Sequence, residues 1–123
     1  MTAIGRRHWA VSVGWIPARS SGPEPEFSSH DVLCVLNAGA RRANVRIQLV
    51  YAAHGTVGPY RLVLAPQRVR QVRVNDLIFP ESVRLEEVYG LIIDSDEPVV
   101  VQFGRQDTRQ RENAGGMATA WSG

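Results

Sequence analysis

The sequence predicts an all-β protein, an antiparallel sandwich or barrel. Three observations carry this. The dominant hydrophobic period is two, eight or so short apolar runs follow one another at close spacing, and Gly- and Pro-containing turns separate them. No long stretch has a period of 3.6.

Taken in order, the first strand runs from His8 to Val13 and the second from Asp31 to Leu36. Between them, Pro17 to Ser28 holds three prolines and few core residues, so it reads as an ordered loop or crossover. Val45, Ile47, Leu49 and Tyr51 alternate with Arg46, Gln48 and Val50, the pattern of a half-buried strand. Tyr60 to Leu64 alternates likewise, after the turn signal His54 to Pro59, and the two runs form a hairpin. Arg68 to Val74 alternates but slips phase, because Val69 has one parity and Val72 and Val74 the other. A β-bulge near Gln71 would turn all three valines inward and set Arg68, Arg70 and Arg73 on one outer face. Tyr89 to Ile93 and Val99 to Arg105 are two strands joined by the turn cluster Asp94 to Pro98. Met117 to Trp121 is the last strand, after the flexible joint Gly115-Gly116. Leu77 to Leu85 has room for a short helical turn, and Asp107 to Asn113 for one turn or a loop.

At 123 residues the chain is one domain, 1–123, with 44% hydrophobic and 21% charged residues. No apolar run approaches the ~18 residues of a membrane span. The first residues show no signal-peptide pattern, which sets the expectation of a cytoplasmic protein. The lone Cys34 lies in an apolar run and reads as a buried structural thiol. All 14 basic residues are arginine, which excludes lysine-based chemistry such as a Schiff base or a P-loop. The net charge of +2 hides a division: residues 32–75 carry seven Arg and no acid, while 76–97 carry seven acids against Arg84. These blocks either pair with each other or leave the basic part for an external polyanion.

Catalytic and metal motifs are missing. Ser29, His30 and Asp31 are adjacent on a strand and alternate between its faces, so they make no triad with one another. The three histidines lack metal-ligand spacing, and no Walker, HExxH, CxxC or GxGxxG pattern occurs. No catalytic residue, metal or cofactor is expected. Arg46, Arg68, Arg70 and Arg73, with Arg41 and Arg42, are candidate polyanion contacts, although no known DNA-binding motif accompanies them. A second set has the chemistry of a small polar-ligand site: Trp9, Trp15, Glu26, His30, Asn37, Arg61, Asn75, Asp76, Arg105, Asp107, Arg109 and Asn113. Trp stacks on the apolar face of a sugar, Arg grips carboxylates or phosphates, and Asn and Asp hold hydroxyls. Each also has an ordinary structural use, in core, turn, surface ion pair or subunit interface.

Several ordered segments resemble the sensory rhodopsin transducer family. They are Trp9-Ala10, Gly14-Trp15-Ile16-Pro17, Gly22-Pro23-Glu24-Pro25-Glu26-Phe27 followed by His30, and Leu36-Asn37-Ala38. Val57-Gly58-Pro59-Tyr60-Arg61, Val74-Asn75-Asp76-Leu77, Ser95-Asp96-Glu97-Pro98 with Val99-Val100-Val101-Gln102, and Arg105 to Asn113 follow. The resemblance covers nearly the whole chain. It implies a cytoplasmic jelly-roll β-sandwich, a cyclic homotetramer, and a part in signal transduction. The type member docks on a membrane photoreceptor, with contact to DNA also proposed for it. Many relatives are regarded as modules for sugars or sugar-derived ligands. Family-pattern residues stand at Trp9, Glu26, His30, Asn37, Arg61, Asn75, Asp76, Arg105, Asp107, Arg109 and Asn113. The chain departs from the pattern in its all-Arg surface and around Ala53-His54-Gly55. The favoured function is a tetrameric sugar-like or sugar-acid binding module, and the alternative is a receptor adaptor that also touches DNA through its arginine strands. An enzyme, for instance a sugar-acid lyase or isomerase, would need His30 or Glu26 as its general base.

Overall fold

The computed structural model describes residues 3–16, 30–107, 114–119 and 121–122. Its strands are β1 (Arg6–Gly14), β2 (His30–Asn37), β3 (Ala43–Tyr51), β4 (Gly55–Leu64), β5 (Arg68–Arg73), β6 (Tyr89–Asp107), β7 (Ala114–Thr119) and β8 (Trp121–Ser122). Every pairing is antiparallel. One layer has the order β4-β3-β6-β1-β8, and the second has β5-β2-β6-β7. No helix among the described residues is long and apolar enough to cross a membrane.

The all-β expectation holds because the period-two pattern is obeyed where it matters. On β3, Val45, Ile47, Leu49 and Tyr51 are buried, and on β4, Tyr60, Leu62 and Leu64. Leu33 and Val35 of β2 and Val99, Val101 and Phe103 of β6 come from the second layer and join the same core. The β3–β4 connection is tighter than the turn signal suggested. Tyr51 already pairs with Gly55, so the loop is only Ala52 to His54. The Gly58-Pro59 part of that signal falls inside β4, at the register shift between Ile47 and Leu49 of β3. Proline, which has no N–H to give a ladder, is tolerated at such an irregularity.

Four further local expectations are corrected. The Asp94–Pro98 cluster does not reverse the chain. It lies within the 19-residue β6, which pairs with β3 and β1 before it and with β2 and β7 after it. The polar residues bend one strand from layer to layer instead of joining two. Asn44 pins this corner, its N–H and Nδ2 each donating to the Asp96 carboxylate at 2.7 Å. Those two bonds hold the Asp96 carboxyl below its usual 3.8. Trp9 braces the same corner, its indole N–H shared between the carbonyls of Arg6 (3.0 Å) and Val99 (2.9 Å).

The bulge at Gln71 is absent, and β5 pairs with β2 in unbroken register from Arg68–Asn37 to Arg73–Val32. Opposed residues share a face. Arg68 and Arg70 therefore lie on the face of Val35, and Arg73 lies on the other with Val69. β5 is an edge strand, so Val69 is left outward, 65% exposed, at little cost. The helical turn expected within Leu77 to Leu85 is also absent. A 3-10 turn lies just before it at Val74–Asp76, and residues 77–88 form an irregular strap. Buried Leu77 and Val83 hold that strap down, and Tyr60 Oη donates to the Glu81 carbonyl at 2.5 Å. Tyr51 Oη accepts from the Arg84 N–H at 3.0 Å. Burial pushes both phenols above their usual 10.0. The last strand is split into β7 and β8, which pair with different strands, β6 and β1.

Candidate ligand-binding site

The candidate site is built from the 3-10 turn upward. Strand β5 ends where Val74 turns into the core, fully buried. Asn75 then accepts a hydrogen bond from the Asp31 N–H through its side-chain oxygen, at 3.4 Å. This ties the turn to β2 and leaves the next residue, Asp76, exposed. Opposite it, the chain from Gly58 to Arg61 runs along β4 with Arg61 exposed. Between the two lies an open cleft of about 560 Å³, bounded by Arg61, Asp76, Pro59, Ile78, Phe79 and Pro80. An acid and a base thus share a hollow whose other walls are apolar. Phe79 is 84% exposed, far more than a core aromatic.

Behind the cleft is a buried acid. Asp31 is 0% exposed. Tyr89 Oη donates to its Oδ2 at 2.5 Å, and the Trp15 N–H donates to the same oxygen at 3.1 Å. The ring of Tyr89 packs against Gly14, where an added Cβ would lie 2.4 Å from two ring atoms. Asp31 also faces Arg105 across the β2–β6 ladder, His30 faces Gln106, and Asp107 faces Ala114 on β7. The backbone therefore gathers His30, Asn75, Asp76, Arg105 and Asp107 at one end of the second layer, with Arg61 across the cleft. Glu26, Arg109 and Asn113 lie outside the described residues.

Two of the candidate ligand residues are placed elsewhere. Trp9 is engaged at the β6 corner. Asn37, 0% exposed, spends its amide on the loop 38–41 and the end of β4. Its Nδ2 donates to the carbonyls of Arg41 (2.8 Å), Leu64 (3.3 Å) and Ala65 (3.2 Å), and its Oδ1 accepts from the Gly39 N–H (3.0 Å). The four arginines read as polyanion contacts are divided between the two layers and between the two faces of β5. Arg46 lies on β3 in the first layer, Arg70 reaches the Val63 carbonyl at 3.4 Å, and Arg73 is half-buried on the opposite face of β5.

The sequence reading missed Asp31 and Phe79. Asp31 has the parity of Leu33 and Val35, and an acid in line with core residues was the available signal for its burial. Phe79 sits in the run Leu77-Ile78-Phe79-Pro80, and only the strap's course shows it exposed. Among the described residues, no group of His, Cys, Asp and Glu is placed to hold a metal ion.

The family model described as Anabaena sensory rhodopsin transducer matches residues 4–122. The chain belongs to the sensory rhodopsin transducer family. A solved structure of the Anabaena sensory rhodopsin transducer is 42% identical to it, covers 84% of this chain and 99% of its own, and superposes with a TM-score of 0.76. The crystal structure of Thermotoga maritima 1070 covers 98% of this chain and 97% of its own at a TM-score of 0.85. At 23% identity that likeness is one of fold. No curated protein matches the chain. The family resemblance read from the sequence segments is borne out.

Proposed function

We propose that this transducer-family protein is a non-enzymatic, cytoplasmic signalling module that binds a small sugar-like or sugar-acid ligand. The observation that carries the reading is the presence of Arg61 and Asp76 together on one open, largely apolar cleft. A sugar offers both surfaces that such a hollow takes, a C–H face for Phe79 and Pro59 and hydroxyls for the carboxylate and guanidinium. Occupancy has a route inward. Asp76 follows Asn75, Asn75 holds β2 at Asp31, and Asp31 holds Tyr89 of β6.

We place the module in a homotetramer that hands its state to a receptor, a membrane photoreceptor in the case the family suggests. The outer face of the second layer supports assembly. Leu36 and Val69 are 39% and 65% exposed there, beside half-buried Val32, Cys34 and Val100, and apolar patches of this kind are what subunit contacts cover.

Calorimetric titration against monosaccharides, sugar acids and sugar phosphates tests the site. For whichever compound binds, Arg61→Ala and Asp76→Ala are each expected to weaken affinity tenfold or more, about 1.4 kcal/mol. Unchanged affinity in both variants overturns the assignment of the cleft.

A further inference from the structure

The outward face of the first layer carries a charge arrangement that the cleft alone does not explain. Arg46 of β3 and Arg61 of β4 are directly opposed in the ladder, and both are exposed. Like charges at opposed positions destabilise a sheet, so an acid beside them is the ordinary remedy. Acids are present, but each has its hydrogen bonds with another residue and neither forms an ion pair with Arg46 or Arg61. Asp94 opposes Arg46 on the other side, yet its carboxylate takes His8 Nδ1 at 2.6 Å. Asp96 takes both donors of Asn44. Among the described residues, the arginines in ion pairs are Arg7, Arg41 and Arg84, and neither Arg46 nor Arg61 is one of them. Arg46 and Arg61 both line a hollow of about 410 Å³, whose other polar walls are His8, Asn44, Asp94, Ser95 and Asp96. Arg61 also lines the neighbouring cleft with Asp76, so the two hollows share this one side chain.

We infer that Arg46 and Arg61 together form an oxyanion subsite that receives the carboxylate or phosphate of the ligand. The inference rests on the sugar-binding reading and narrows it to anionic sugars. Two guanidiniums on adjacent strands present several N–H donors to one oxyanion, and bridging them removes their mutual repulsion. The hydroxyl-bearing part of the ligand then extends past Arg61 toward Asp76. Arg46 thereby becomes a specificity residue for the anion, while the cleft wall takes the ring.

The test compares D-glucose, D-glucuronate and D-glucose 6-phosphate by calorimetry on wild-type protein and on Arg46→Gln, with unfolding of both proteins measured to show that the variant is intact. The expected result is binding of one or both anionic sugars at least tenfold tighter than glucose, a preference that Arg46→Gln abolishes. The glucuronate and glucose 6-phosphate arms distinguish a carboxylate from a phosphate ligand. Equal affinity for glucose and the anionic sugars overturns the subsite and leaves the sugar reading standing. So does an anion preference that survives in Arg46→Gln. No binding of any of the three overturns both.

Discussion

Asp31→Ala is expected to destabilise the protein by about 3 kcal/mol, because it removes the acceptor of the buried Tyr89 hydroxyl and of the half-buried Trp15 N–H at once. Tyr89 Oη and the Trp15 N–H both donate to the Asp31 carboxylate, and Tyr89 is itself only 1% exposed. A buried donor left without an acceptor costs ~1–3 kcal/mol. For a domain of this length, each kcal/mol lowers the melting temperature by roughly 4 °C, so a fall of about 12 °C is expected. Asp31→Asn keeps an acceptor oxygen in place and is expected to lose less than half as much. Thermal unfolding of the two variants checks this. Equal melting temperatures for Asp31→Ala and the wild type would show that the network holds nothing together.

The second large effect lies one contact further on. Gly14→Ala places a methyl group 2.4 Å from Cε2 and Cζ of the Tyr89 ring and 2.8 Å from Cε1. The ring has little freedom to yield, since its hydroxyl is tied to Asp31 and its strand is paired on both sides, to β1 and β3. Overpacking of this kind costs ~1–3 kcal/mol, and the contact is closer than a van der Waals shift relieves. We expect about 3 kcal/mol, measured by urea unfolding. The double variant with Asp31→Ala is expected to lose less than the sum, because the first substitution already displaces the ring that the second loses its bond to. Full additivity would contradict the view that Gly14, Tyr89 and Asp31 act as one unit.

The same three residues show where sequence reading stops. Strands were legible because alternation is a local signal: Val45 to Tyr51 declares its buried face without knowledge of any neighbour. Pairing is not local. Gly14, Asp31 and Tyr89 meet only because β1 and β2 both lie beside β6, and Arg46 meets Arg61 only through the β3–β4 register. Turn chemistry was ambiguous in one place, where Ser95-Asp96-Glu97-Pro98 bends a strand between layers instead of reversing it. Phase was misleading in another. The slip at Val69 implied a bulge that an edge strand does not need. In the candidate site, Arg61, Asn75 and Asp76 were recognisable by residue type and family pattern. Trp9 and Asn37 share that pattern, but their polar atoms are spent on the β6 corner and on the loop after β2.

The most direct test of the ligand-module account is a thermal-shift panel of the wild-type protein. The panel holds monosaccharides, sugar acids, sugar phosphates and a short DNA duplex. A ligand at 100 times its Kd stabilises a protein by ~2.7 kcal/mol, about 10 °C for a domain of this size. The account predicts a shift of that order with a sugar class and none with the duplex at physiological salt. A shift with the duplex alone, with the sugars silent, would contradict it and favour a receptor adaptor that contacts DNA through its arginine strands.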